Sequence, residues 1–189
     1  MSHISVLLHE TVDGVLAGRD TGIYVDATFG RGGHTRLLLS KLDQNARVYA
    51  FDKDPQALEV AAQLEQEDSR FRIIHASFAD IQAELARIGI TEVDGIMADL
   101  GVSSMQIDNP SRGFSFKKEG PLDLRLDPLK GEPASERLKG LTQEELTGML
   151  IENSDEPYAE EIARAVMGEI KRGREVATTT RLYEMIDRA

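Results

Sequence analysis

Cysteine is absent from this 189-residue chain, which removes disulfides and thiolate metal sites from consideration. Histidine is scarce, and the four present (His3, His9, His34 and His75) show no metal-ligand spacing among themselves, so no metal centre is expected. Long apolar runs are missing: none approaches the roughly 20 residues that a membrane-spanning helix needs. The first residues lack the charged-then-apolar pattern of an export signal, so the expectation is a cytoplasmic protein with no membrane partner. Positive charge is in deficit, with 22 Lys and Arg against 33 Asp and Glu and a net charge of -11. That balance excludes a broad, non-specific grip on nucleic acid.

What is present is a globular composition, 41% hydrophobic and 29% charged. The length suits one domain with a small appended lobe and a real core. The charge is unevenly spread: residues 1–100 sum to -7, residues 101–130 to +1 and residues 131–189 to -5. Between Arg112 and Lys118 there are three positive charges and no negative one. A polyanion approaches most easily there.

Residues 22–98 alternate short β-rich runs with helical patterns. "GIYVDA", "RVYAF", "FRIIH" and "VDGIMA" read as strands, and residues 34–42, 55–65 and 78–88 carry apolar positions at helical spacing. Asp54 followed by Pro55 is a helix start, an N-cap with proline in the first turn. Such repetition implies right-handed crossovers and a parallel sheet, so the expected fold class is α/β, doubly wound and Rossmann-like. The pattern changes after Leu100. Residues 101–133, rich in Gly, Pro, Ser, Asp and Asn, read as a long irregular segment of the kind usually kept for function. Further on, Thr142 with Glu145 forms a capping-box signature. Tyr158, Ile162, Ala165, Val166 and Ile170 line one helical stripe, and threonines 178–180 can cap a last helix. The expected division is a cofactor-binding core at 1–103 and a loop plus helical insertion at 104–189.

The stretch "VDATFGRGGHT" (residues 25–35) follows the first strand. Open α/β sheets bind ligands beyond the carboxyl ends of their strands, and Gly30, Gly32 and Gly33 let the backbone turn tightly towards one. Asp52 ends the second strand about twenty residues after Gly32, the usual place of a carboxylate that hydrogen-bonds ribose hydroxyls. An adenosine-containing cofactor follows, and Asp26 selects among the candidates. It would repel a dinucleotide's pyrophosphate, whereas S-adenosylmethionine (SAM) offers an α-ammonium and a sulfonium. Thr35 also stands where G-x-G-x-x-G requires its third glycine. His34, on spacing alone, reads as an exposed helix-start residue. "MADLGVSSMQ" places Asp99 at the end of the fourth strand, where it contacts the cofactor, accepts from a substrate amine or caps the loop.

Taken in order, "VLLHETV", "DATFGRGGHT", "FDKDPQAL", "DLGVSSMQID", "RGFSF" and "GPLDLRLD" resemble the bacterial ribosomal RNA small subunit methyltransferase H family. That family transfers a methyl group from SAM to N4 of a cytosine in 16S rRNA. The resemblance runs from about His9 to Ile186, and "DLGVSS…Q…RGFSF" is its most specific part. It implies a class I SAM-dependent methyltransferase sheet with an inserted helical domain, and 16S rRNA in the small ribosomal subunit as partner. It implies SAM contacts from Gly32, Gly33, His34, Asp52, Phe78, Asp99 and Gln106, with Phe78 against the adenine. Leu124 and Leu126 depart from it, standing where the family usually has methionines. The family also continues past the point matching Ala189, with strands that complete its sheet.

For transfer to an exocyclic amine, Asp99 is the first candidate to hydrogen-bond the amine and Asp123 the second. Phe114 and Phe116 either stack an extruded base or anchor the loop, and Arg112, Lys117 and Lys118 are candidate phosphate contacts. Two other classes compete: an NAD-dependent oxidoreductase, disfavoured by Asp26 and Thr35, and a non-catalytic SAM-binding or RNA-associated module. With four strands counted, "VDGIMA" is expected to be an exposed apolar edge that further chain, a partner or a homodimer covers.

Overall fold

Four short parallel strands and the helices that join them make up the first of two units. The computed structural model describes residues 6–189, and the units are Met1–Met105 and Gln106–Ala189. In the first, α1 (Leu8–Leu16) precedes β1 (Ile23–Asp26). There follow α2 (Gly33–Lys41), β2 (Arg47–Asp52), α3 (Pro55–Glu67), β3 (Phe71–His75), α4 (Ile81–Arg87) and β4 (Gly95–Met97). The region expected as one helix at 78–88 is a 3-10 turn, Phe78–Asp80, running into α4. Helix α1 lies outside the strand–helix alternation that guided the sequence reading. Its only local signal is Val12 and Leu16, four residues apart and both buried.

The strand order is β3-β2-β1-β4. The chain moves outward from β1 to β3 and returns to the other side of β1, making a switch point at the carboxyl ends of β1 and β4. Asp26 pairs with both Ala50 and Met97 there, and Asp52 pairs with His75. Side chains alternate between the two faces. Tyr24, Val48, Ala50, Phe71 and Met97 pack with apolar residues of α1, α2 and α3. Val25 and Phe51 face the other way, with Leu85 of α4. Ile96, next to Met97 and so on this second face, is 54% exposed. Strand β4 is one edge of the sheet, with β3 at the other.

The second unit begins within α5 (Ser104–Asp108), which is followed by a 3-10 turn at Pro110–Arg112 and an irregular stretch. Then come α6 (Ala134–Lys139), α7 (Gln143–Ser154), α8 (Ala159–Lys171) and α9 (Thr179–Ile186). The capping box of α7 is formed, with Glu145 N–H donating to Thr142 Oγ1 at 3.2 Å and Thr142 N–H donating to Glu145 Oε2 at 2.8 Å. Leu122, Leu146, Ile162, Ala163, Val166, Met167, Val176 and Met185 form the core. Tyr158 is not part of it. The helix starts one residue later, so Tyr158 is exposed and Ala159, Ala163 and Met167 complete the buried stripe. Among the described residues, no helix is long and apolar enough to cross a membrane.

Candidate functional site

A cavity opens in the first unit at the switch point, lined by Val6, Leu7, Thr11, Asp26, His34, Met97, Ala98 and Asp99. The turn after β1 shapes it. Gly30 and Gly32 have φ of 55° and 75°, a region that disfavours any residue with a Cβ. A Cβ on Gly32 would also stand 2.7 Å from the Phe29 ring. Phe29 N–H donates to Phe51 O at 3.1 Å and Gly32 N–H to Phe29 O at 2.8 Å, which closes the turn. Helix α2 then begins at Gly33 with no side-chain cap, leaving its first N–H groups available to a ligand.

Asp26 is buried beneath this turn. Its Oδ2 accepts from Thr35 Oγ1 at 2.6 Å and its Oδ1 from Thr28 N–H at 3.1 Å. Burial pushes its pKa above the ordinary 3.8, against the opposing pull of those two hydrogen bonds. Thr35, which the sequence marks only as a departure from the dinucleotide pattern, is therefore the hydroxyl partner of Asp26. Thr28 Oγ1 in turn accepts from Asp99 N–H at 2.7 Å, tying the segment after β4 to the segment after β1.

Asp52 organises the same turn. Its Oδ2 accepts from Gly30 N–H at 2.9 Å, and its Oδ1 accepts from Lys53 and Asp54 N–H at 2.8 and 2.9 Å. An ionised carboxylate offers about four lone-pair directions. With three filled, Oδ2 keeps acceptor capacity for a ligand hydroxyl. The Asp54 side chain accepts from Gln56 N–H at 3.0 Å and caps α3, as Asp54-Pro55 indicates.

Of the residues expected around a cofactor, the cavity itself brings together Asp26, His34 and Asp99. His34 is buried, not exposed as its position at a helix start suggests, because α2 packs its first turn under the cavity. Gly30, Gly32, Gly33 and Asp52 form the turn. Phe78 opens the 3-10 turn after β3 with its ring 49% exposed, and Gln106 is buried and hydrogen-bonded in α5. Val6, Leu7 and Thr11 were not foreseen as lining residues. They belong to the quoted "VLLHETV" stretch, whose composition carries no ligand signal. Leu7 adopts φ 48°, rare for a residue with a branched side chain.

In the second unit the irregular segment is tightly braced. Gly113 has φ 78°, and a Cβ on Gly120 would collide with Pro110 O. Leu122 N–H donates to Ala177 O at 2.8 Å, and Thr179 N–H to Gly120 O at 3.0 Å. Arg112 is buried, and its guanidinium donates to Arg125 O and Leu126 O, both at 3.0 Å. It braces the loop from within, in place of the phosphate contact expected of it. Asp123 is also a clamp. Arg125 supplies its N–H, Nε and a terminal nitrogen to the carboxylate at 3.0, 2.8 and 2.7 Å. These bonds hold the Asp123 pKa below the ordinary range, which makes it a poor acceptor for a substrate proton. Phe114 is half-buried; Phe116, Lys117 and Lys118 are exposed.

A parallel sheet that turns on glycines after β1, ends β2 in a turn-bracing carboxylate and places another after β4 defines a Rossmann-like methyltransferase sheet. It is incomplete beyond β4. The model of the MraW methylase family matches residues 1–189, and the chain belongs to that family. It is 61% identical over 189 residues to a protein named ribosomal RNA small subunit methyltransferase H from Acinetobacter baylyi, covering 100% of this chain and 61% of that one. A protein of the same name from Chromobacterium violaceum is 50% identical over 179 residues, covering 95% of this chain and 55% of the relative. Among solved structures, an rRNA methylase from Streptococcus thermophilus is 28% identical with a TM-score of 0.35, over 44% of this chain and 50% of that one. The chain thus spans 61% of the length of the Acinetobacter baylyi relative.

Proposed function

We propose that this chain carries the methyl-donor site of a SAM-dependent methyltransferase that modifies N4 of a cytosine in 16S rRNA of the small ribosomal subunit. The observation that carries the reading is the buried Asp26, set with His34 and Asp99 around a cavity at the switch point. A carboxylate there suits a ligand bearing positive charge and opposes a pyrophosphate. The name shared by the relatives supplies the substrate class.

The residues present fit SAM. Asp26 would hold its ammonium end, Gly32, Gly33 and His34 would surround the amino-acid portion, and Asp52 Oδ2 would accept from a ribose hydroxyl. The exposed Phe78 ring would lie against the adenine. When bound, SAM supplies an electrophilic methyl carbon on a sulfonium. The chain's own part is to position the cytosine amine. Asp99 would accept a hydrogen bond from the amine, orient its nitrogen, and take up the proton that the amine loses on methylation. Holding reacting atoms at about 3–3.5 Å in line supplies much of the rate. Lys117 and Lys118 contact RNA phosphates, and Phe116 a base.

Radiolabelled methyl transfer tests this, using naked 16S rRNA and assembled small subunits as acceptors. It is run with this chain and with a version extended to the length of the relatives. Label recovered as N4-methylcytidine is the expected result. Label on another nucleoside, or none with either version, overturns the reading.

A further inference from the structure

The rings of Phe116 and Tyr183 stack at the surface of the second unit, with centroids 4.7 Å apart and planes 3° from parallel. They are 56% and 45% exposed. Neither ring enters the core of Leu122, Leu146 and Met185. Buried aromatic pairs can take tilted arrangements, as Phe29 and Phe71 do at 33° in the first unit. A parallel surface pair instead leaves outer faces onto which another flat ring can continue the stack.

The backbone on both sides is fixed. Thr179 Oγ1 donates to Lys118 O at 3.4 Å and Thr180 Oγ1 to Glu119 Oε2 at 3.0 Å, so the start of α9 holds the loop that carries Phe116. Beside Phe116 lie two lysines followed by Glu119, and beside Tyr183 lies Glu184, which pairs with Arg181. Lys117 and Lys118 are exposed, and among the described residues neither has a carboxylate within ion-pair distance. By contrast, Arg172, Arg174 and Arg181 all pair with Glu169. In a chain of net charge -11, a stacked ring pair next to two free lysines matches single-stranded nucleic acid, whose bases stack on aromatics while its phosphates seek cations.

We propose that Phe116 and Tyr183 form a platform on which an unpaired nucleobase of the RNA substrate stacks, with Lys117 and Lys118 holding the adjoining phosphates. This rests on the rRNA reading above and adds Tyr183, which no sequence signal marks. Stacking of this kind tolerates any base, so the platform anchors the strand without reading its sequence.

The test is a fluorescence titration of a short single-stranded RNA probe bearing one 2-aminopurine, with the 189-residue chain and its variants. The wild type is expected to bind and quench the probe. Tyr183→Leu and Phe116→Leu should each weaken binding about tenfold, the lower part of the range for removing one base–aromatic stack. Tyr183→Phe should keep wild-type affinity, and an abasic probe should reduce the wild type to the level of the leucine variants. If Tyr183→Leu does not fold, Phe116→Leu and the abasic probe decide the matter alone. Unchanged affinity and quenching in the leucine variants would overturn the platform while leaving the rRNA reading in place. No RNA binding by the wild type would overturn both, and a parallel SAM titration would then show whether the methyl-donor reading survives. A dimer dissolved by Tyr183→Leu, with RNA affinity intact, would assign the rings to self-association and overturn the proposal.

Discussion

At the scale of single residues, the two carboxylates beneath the glycine turn do different work. Folding raises the Asp26 pKa, so the folded state favours its protonated form. The sign follows: the stability of the ligand-free chain is complete below the ordinary carboxylate pKa and declines as pH rises through the folded value. Asp26→Asn removes that decline. It should melt higher than the wild type at neutral pH, with the difference fading in acid, and it should bind SAM more weakly for want of a charge opposite the ammonium. Melting curves across a pH series check this, and identical profiles for the two proteins would contradict it. For Asp52→Ala the expected loss is about 1–3 kcal/mol of SAM binding, the cost of unmaking hydrogen bonds to a charged acceptor. Gly30 N–H loses its partner as well, so turn and ligand grip weaken together. Calorimetry on a variant with an unchanged circular dichroism spectrum measures it. The strand-end positions of both aspartates were legible in the sequence because strand ends are local features. The Thr35–Asp26 bond was not, since it depends on how the intervening turn folds.

At the scale of elements, helix starts written in adjacent residues were readable: Asp54 with Pro55, Thr142 with Glu145, and Thr178, whose Oγ1 accepts from Arg181 N–H at 3.3 Å. The irregular segment was not readable in the same way. Its arginines and aspartates look like surface charge, yet Arg112 directs its guanidinium to carbonyls more than ten residues away and Asp123 is clamped by Arg125. Only folding of the loop on itself separates bracing cations from free ones. A double Lys117→Ala, Lys118→Ala variant should therefore lower the salt dependence of RNA binding by about 0.7 logarithmic units for each phosphate left without its lysine, the single-strand value. SAM affinity should not change. Binding measured at several salt concentrations decides this, and an unaltered slope would leave the lysines as solvated charge.

For the whole molecule, the sheet is covered unevenly. One face has α1, α2 and α3; the other has α4 over Val25 and Phe51, while Ile96 on the edge strand stays open. Leu100 and Val102 extend this apolar exposure. An uncovered strand edge is a template for pairing with other chains. Ile96→Lys is expected to reduce concentration-dependent association of the 189-residue chain, read by sedimentation velocity. Association that is unchanged, or absent from the wild type, would show that this edge draws no partner. The strand count, with the strand order expected of the class, made the edge legible in the sequence, but the bare second face depends on which helices cross which way.

The claim at the centre of this account is that the cavity beyond β1 and β4 holds SAM. Isothermal calorimetry of the 189-residue chain, with SAM and NADH titrated separately, tests it most directly. The account predicts saturable one-to-one binding of SAM, clearly weakened in Asp52→Ala, and no binding of NADH. Absence of SAM binding by a folded chain, or tighter binding of NADH, would contradict it.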